Sequence, residues 1–258
     1  MVILEIKHLV KYFGGLAAIQ DLDMVVNQGE IVGLIGPNGA GKTTVFNLIT
    51  GFFKPTKGQI IFDQTDITGQ STHRVAELGI GRTFQTTAFL PDFTVQQNVS
   101  VSCHLHPKIG FWGAIFNTST YRKKEKGALD RAMEILRFLG LDSMKDDFPK
   151  NMPHGHQKLL TVSMALSTNP KLLLLDEPVS GMSAAEVMEA AALINKTRSR
   201  GITIVVVEHN MTAVMELCDR LIVLNFGQKI AEGSPEEIRE NRDVIEAYLG
   251  VDEDATHN

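Results

Sequence analysis

The chain has 258 residues, 43% hydrophobic and 21% charged, enough to bury a full core and close to the size at which one domain begins to subdivide. Its 25 Lys and Arg against 30 Asp and Glu leave a net charge of −5, which argues against a nucleic-acid-binding surface. No apolar run approaches the roughly 18 residues that would span a bilayer. Met1 to Phe13 has no basic head followed by an apolar block, so secretion is not expected. Cys103 and Cys218 lie far apart without metal-ligand spacing, and a cytoplasmic, reducing compartment fits them best.

Leu4 to His8 and Ile19 to Val26, separated by Gly14-Gly15, carry apolar residues at strand period and predict an N-terminal β-meander. Ile31 to Ile35 is wholly apolar apart from Gly33, as a strand buried on both faces should be, and Lys42 to Thr50 follows at helical spacing. The alternation returns with Lys171 to Leu175, Ala184 to Thr197, Ile202 to Val207, Met211 to Leu217 and Leu221 to Leu224, which predicts a parallel sheet covered by helices. From Gln85 to Ala165 the β-branched runs vanish and helical segments dominate, opening at Thr94-Val95-Gln96-Gln97 with capping-box spacing. Gly110 to Phe116 beside Arg122-Lys123-Lys124 reads as a loop and a solvated helix start, with a basic membrane-surface element as the alternative. Ser234-Pro235-Glu236-Glu237 starts a further helix, and Asp252-Glu253-Asp254 forms an acidic tail. The expected fold is α/β: a core of about residues 1–84 and 166–258, with an antiparallel β sub-domain at its start and a helical sub-domain of about residues 85–165 inserted in it.

Gly36-Pro37-Asn38-Gly39-Ala40-Gly41-Lys42-Thr43-Thr44 matches G-x-x-x-x-G-K-[ST] between a predicted strand and a predicted helix, the context that motif requires. The glycines let successive N–H groups converge on phosphate oxygens, Lys42 adds a positive charge, and Thr43 offers a hydroxyl to Mg²⁺. Leu172 to Leu175 then delivers Asp176 and Glu177 at a strand end, where a Mg-nucleotide would sit. Asp176 suits Mg²⁺, directly or through water, and Glu177 suits proton abstraction from, or orientation of, an attacking water.

These segments, in this order, resemble the ATP-binding subunits of ABC transporters over nearly the whole chain. The resemblance implies a P-loop NTPase core and further site residues. Arg82-Thr83-Phe84-Gln85 is similar to the Q-loop, with Gln85 reaching Mg²⁺ and water. Ser180-Gly181-Met182-Ser183 is similar to the D-loop, although it ends in Ser183 instead of Asp, and Ser183 with Glu186 also has capping-box spacing. Val207-Glu208-His209 resembles the switch region, with His209 on the γ-phosphate, and Lys11-Tyr12-Phe13-Gly14 the A-loop, with Phe13 stacking on adenine.

The signature motif departs from the family pattern: Met152-Pro153-His154-Gly155-His156-Gln157 carries Pro153 for the usual serine and His156 for the usual glutamine. In the family this segment contacts the ATP of an opposing subunit, a role left here to the Gly155 N–H, the helix start and His156. Phe13 to Ala18, Phe46 to Phe52, Gly81 to Gln85 and Asp243 to Gly250 look like the ATPases of branched-chain amino acid importers, with urea or short-amide importers as the alternative. The resemblance implies ATP and Mg²⁺ as ligands and a second ATP-binding subunit and membrane permeases as partners. It also implies indirect dependence on a periplasmic or extracellular substrate-binding protein, and a peripheral place on the cytoplasmic face of the membrane. A ribosome- or DNA-directed ABC protein is disfavoured by the single cassette, the absence of a heptad run and the charge of −5. A regulatory ATP sensor with slow turnover remains the other alternative.

Overall fold

A computed structural model describes the backbone of residues 1–83, 89–103 and 119–254, with side chains of all of these except 119–124 and 249–254. Two sheets pack on a shared hydrophobic cluster, and a second cluster includes alternate residues of the parallel strands together with helical residues. In the first, β1 (Val2–Phe13) lies antiparallel to β2 (Leu16–Asn27) and to β4 (Lys57–Phe62), which pairs with β5 (Thr65–Asp66); the strand order is β2-β1-β4-β5. The second has β3 (Ile31–Ile35), β6 (Ile80–Arg82), β7 (Leu172–Asp176), β8 (Thr203–Val207), β9 (Arg220–Asn225) and β10 (Gln228–Gly233) in the order β10-β9-β3-β8-β7-β6. Only β10 pairs antiparallel there.

Among the described residues the α-helices are α1 (Lys42–Ile49), α2 (Thr72–Leu78), α3 (Val95–Ser102), α4 (Ser119–Phe138), α5 (His154–Ser167), α6 (Ala184–Arg198), α7 (Met211–Leu217), α8 (Pro235–Glu240) and α9 (Arg242–Asp254). Successive residues of the central strands feed opposite cores, as a two-residue period dictates. Leu173, Leu175, Ile204 and Val206 join the cluster that includes residues of α3 to α7. Leu172, Leu174, Val205 and Val207 join the one that includes α1 and the antiparallel sheet. All eight are at most 2% exposed, and each such side chain contributes about 1.5–3 kcal/mol by leaving water. This two-sided burial is why the strands read as continuous apolar runs instead of alternating ones.

The segment between β6 and β7 is helical wherever it is described, apart from short turns and loops. α3 begins with the expected capping box at Thr94 and Gln97. Asn98, fully buried, donates to Leu90 O, Phe93 O and Thr94 O and accepts from Leu90 N–H, which binds the preceding loop to the helix. The stretch Gly110 to Phe116 lies outside the described residues. Among the described residues no helix is long and apolar enough to cross a membrane.

Candidate active site

The site is assembled at the carboxyl ends of the parallel strands. β3 stops at Ile35 and the loop turns back at Gly36 (φ 144°), where a Cβ would lie 2.0 Å from Leu224 O. Gly41 (φ 105°) caps α1 in a left-handed conformation, and a Cβ there would lie 2.8 Å from Ala18 O. Both glycines are therefore dictated by backbone angle and by close approach together. Asn38, Gly39 and Thr43 remain exposed, while Gly36, Pro37 and Ala40 are buried. Lys42 Nζ donates to Gly36 O (2.7 Å) and Pro37 O (2.9 Å), so the ammonium sits inside its own loop. Burial lowers its pKa, and the Glu177 and Asp176 carboxylates oppose that shift.

Asp176 is the last residue of β7 and its side chain is 2% exposed. Burial pushes its carboxyl up; the hydrogen bond and charge of Arg82, whose NH2 lies 3.2 Å away, pull it down. Its own N–H donates to Thr83 Oγ1, and the Thr83 N–H returns a bond to Leu174 O, which ties the end of β6 to the end of β7. Glu177 leaves the strand with φ 49° while its N–H donates to Val207 O. A left-handed conformation at a non-glycine residue costs about 1–2 kcal/mol, and here it brings Glu177 Oε1 to 3.5 Å from His209 Nδ1. His209 is held from behind. Glu208, 1% exposed, accepts from the N–H groups of Val179, His209 and Asn210, which offset part of the rise that burial imposes on its carboxyl.

The structure thus brings the P-loop, Asp176, Glu177 and His209 to one place. Phe13 ends β1, 40% exposed, with its ring edge-on to Phe53 at 5.0 Å and Lys11 Nζ 4.8 Å from its centroid. Gly155 and His156 lie elsewhere: they line a cleft of about 190 Å³ with Leu139, Met182 and Glu186, and no P-loop residue lines it. A Cβ at Gly155 would lie 3.2 Å from Glu186 Oε1, and the buried His156 Nδ1 makes no hydrogen bond to the described residues. Pro153 is the N-cap of α5 and supplies no side-chain cap. Gln85 lies outside the described residues. Three neighbours of these residues stood in the sequence only inside longer stretches of resemblance, with no role given to them: Arg82 beside Asp176, Thr83 bonded to the Asp176 N–H, and Tyr248 of α9. Burial raises the Tyr248 phenol, opposed by the backbone of Gly36. Each depends on a long-range contact that no local pattern records.

A glycine loop between a central parallel strand and a helix, with a carboxylate-bearing strand one removed from it across β8, defines a P-loop nucleoside-triphosphate site. Residues 19–180 match the family profile described as ABC transporter. Residues 228–254 match the profile described as branched-chain amino acid ATP-binding cassette transporter. The chain is 39% identical over 249 residues to the high-affinity branched-chain amino acid transport ATP-binding protein BraF of Pseudomonas aeruginosa, covering 96% of this chain and 98% of the relative. To LivG of Escherichia coli, described in the same words, it is 40% identical with the same coverage. A solved ATP-binding cassette of an ABC transporter in its ADP conformation superposes with a TM-score of 0.85 at 33% identity, over 97% of this chain and 99% of the other. The chain belongs to the ABC transporter family, as an ATP-binding cassette and ABC-type ATPase.

Proposed function

We propose that the chain is the ATP-hydrolysing subunit of an importer for branched-chain amino acids. The observation that carries this reading is the near-full-length identity to BraF and LivG, joined by the C-terminal match at residues 228–254. In this reading one cassette spans residues 1–258, with the helical part at about 85–165, and it works at the cytoplasmic face of the membrane. The N–H groups of Gly36 and of residues 38–44, with the charge of Lys42, hold the β- and γ-phosphates, Pro37 shaping the loop without an N–H to give, and Lys42 turns from Gly36 O and Pro37 O to the phosphate. Phe13 stacks on adenine with Phe53 fixing its plane. The Thr43 hydroxyl and the Asp176 carboxylate are hard oxygen donors of the kind that suits Mg²⁺, and Gln85 completes that set. When bound, Mg²⁺ neutralises charge on the phosphate oxygens. Glu177 takes the proton of the attacking water and His209, oriented through Glu208, contacts the γ-phosphate.

A second copy or a paralogous cassette completes the site in trans. The first N–H groups of α5, left without a side-chain cap by Pro153, together with Gly155 and His156, face the opposing γ-phosphate. Permease subunits dock in the apolar groove of about 300 Å³ that Phe52, Val75, Ile80, Met164 and Ala165 line between the core and the helical segment. A substrate-binding protein outside the membrane delivers the cargo. The test is reconstitution of the chain in vesicles with the permease subunits and substrate-binding protein of its own source organism that co-purify with it. ATP-driven uptake of leucine, isoleucine or valine is expected. Uptake of urea or a short amide in their place would contradict the cargo, and ATP hydrolysis without uptake of any solute would favour a regulatory ATPase.

A further inference from the structure

Arg82 is a buried cation that the nucleotide reading leaves without a task. It ends β6 with its side chain 7% exposed, and its NH2 lies 3.2 Å from Asp176 Oδ2. Its NH1 donates to Asn47 Oδ1 (2.6 Å) and Thr50 Oγ1 (3.3 Å) on α1, and the guanidinium carbon lies 5.5 Å from the Phe46 ring centroid. The same α1 carries Lys42 and Thr43 at its first turn. The guanidinium is thus clamped to the helix that follows the P-loop while it pairs with the carboxylate at the end of β7.

An ionised carboxylate this deeply buried is costly unless a cation and hydrogen bonds accompany it. In the absence of nucleotide Arg82 supplies both. When a divalent cation reaches the carboxylate, that need is met twice, and two positive groups beside one carboxylate repel each other. We propose that Arg82 is a resident counter-ion that holds the place of the divalent cation on Asp176, so that guanidinium and metal compete for one carboxylate and Arg82 sets how tightly the nucleotide-bound cassette takes its metal. Arg82 is a positioning residue in this scheme: it acts through its contact with Asp176. The proposal rests on Asp176 being the metal carboxylate.

The experiment titrates Mn²⁺ into the full chain with a non-hydrolysable ATP analogue bound and follows free Mn²⁺ by electron paramagnetic resonance. Breaking one charge-assisted bond shifts an equilibrium by about tenfold or more, so Arg82→Gln is expected to tighten Mn²⁺ binding about tenfold. Arg82→Lys, which restores the charge, should return the affinity toward wild type. Asn47→Ala keeps the charge but removes the shorter of the two NH1 hydrogen bonds, leaving the one to Thr50 Oγ1, and is expected to tighten Mn²⁺ binding by about two- to threefold; it serves if Arg82→Gln does not fold. Without metal, Arg82→Gln should melt at lower temperature than wild type and regain more of its stability when Mn²⁺ and the analogue are added. Unchanged or weakened Mn²⁺ affinity in Arg82→Gln, or in Asn47→Ala if that variant has to stand in, overturns the proposal. Asp176→Asn measures the underlying assignment separately: if it leaves Mn²⁺ affinity intact, Asp176 is not the metal carboxylate, whatever the Arg82 variants do.

Discussion

Cys218 closes the end of α7 against the central sheet, and a Cβ at Gly33 would stand 2.9 Å from its sulfur. Burial, followed by the charges of Asp219 and Glu208, pushes its thiol up to about 12. At pH 8 only about one thiol in ten thousand would be ionised, and the thiolate is the reactive form. Iodoacetamide at pH 8 is therefore expected to leave Cys218 unmodified in the native protein and to label it after denaturation, as peptide mass mapping would report. Rapid native labelling would contradict the packing of α7 on β3 and β9. Lys42 is the opposite case, a half-buried charge that the fold keeps against the carbonyls of its own glycine loop. Removing it in Lys42→Ala should weaken binding of a fluorescent ATP analogue about ten- to a hundredfold, the worth of a charge-assisted hydrogen bond. Unchanged affinity would mean that the ammonium does not reach the nucleotide.

Helix ends carry the next level of organisation. α6 starts with a reciprocal cap: the Ser183 N–H and hydroxyl both donate to Glu186 Oε2, and Ser183 Oγ accepts from Glu186 N–H. α5 starts at Pro153 without one. Pro153→Ser would add a cap of about 0.5–2 kcal/mol and lose about 0.4–1 kcal/mol through the freer unfolded chain, so thermal stability should stay level or rise. ATP-driven dimerisation, read by size-exclusion chromatography in a Glu177→Gln background, should strengthen if the added hydroxyl donates at the trans site proposed above. A Pro153→Ser protein that folds as stably but dimerises no better would remove the signature segment from the sandwich. The elements around the phosphate site were legible because their determinants are consecutive: apolar β3, the glycine loop, α1, and β7 ending on Asp176. The hairpin of β4 and β5 was not. Its two-residue turn places Asp63 and Gln64 at φ 45° and 64° without a glycine or asparagine to mark it. β6 is three residues long and α2 seven, too short for a period to declare itself. β10 reads Gln-Lys-Ile-Ala-Glu-Gly, a polar edge strand with little apolar signal. The pairing of Arg82 with Asp176 spans the whole helical segment, and the sequence offered Arg82 only as part of a motif.

Across the whole molecule, the two sheets are joined at the far end from the phosphate loop by Arg220. Its Nε and NH2 donate to the two oxygens of Glu30 (2.8 and 3.1 Å), NH2 also donates to Val25 O, and NH1 pairs with Glu232. Burial pushes the Glu30 carboxyl up, but hydrogen bonds from Arg220 and Asn27 more than offset it and leave it below its ordinary value. A carboxylate lowered by folding stabilises the protein fully above its unfolded pKa of about 4.3 and loses that contribution as pH falls through the lower folded value. The melting-temperature difference between wild type and Glu30→Gln should thus be constant from pH 6 to 8 and shrink below about pH 4. A difference that stays flat to pH 3 would show that the ion pair does not join the sheets as described.

The central claim, that this geometry is a working ATP-hydrolysing site built around Glu177, is tested most directly by steady-state ATP hydrolysis of wild type and Glu177→Gln with ATP affinity measured in parallel. Loss of a general base lowers rate by about two or more orders of magnitude. The account predicts such a fall in Glu177→Gln with ATP affinity retained and an ATP-bound dimer accumulating. Wild-type turnover in the variant, or a loss of ATP affinity as large as the loss of rate, would contradict it.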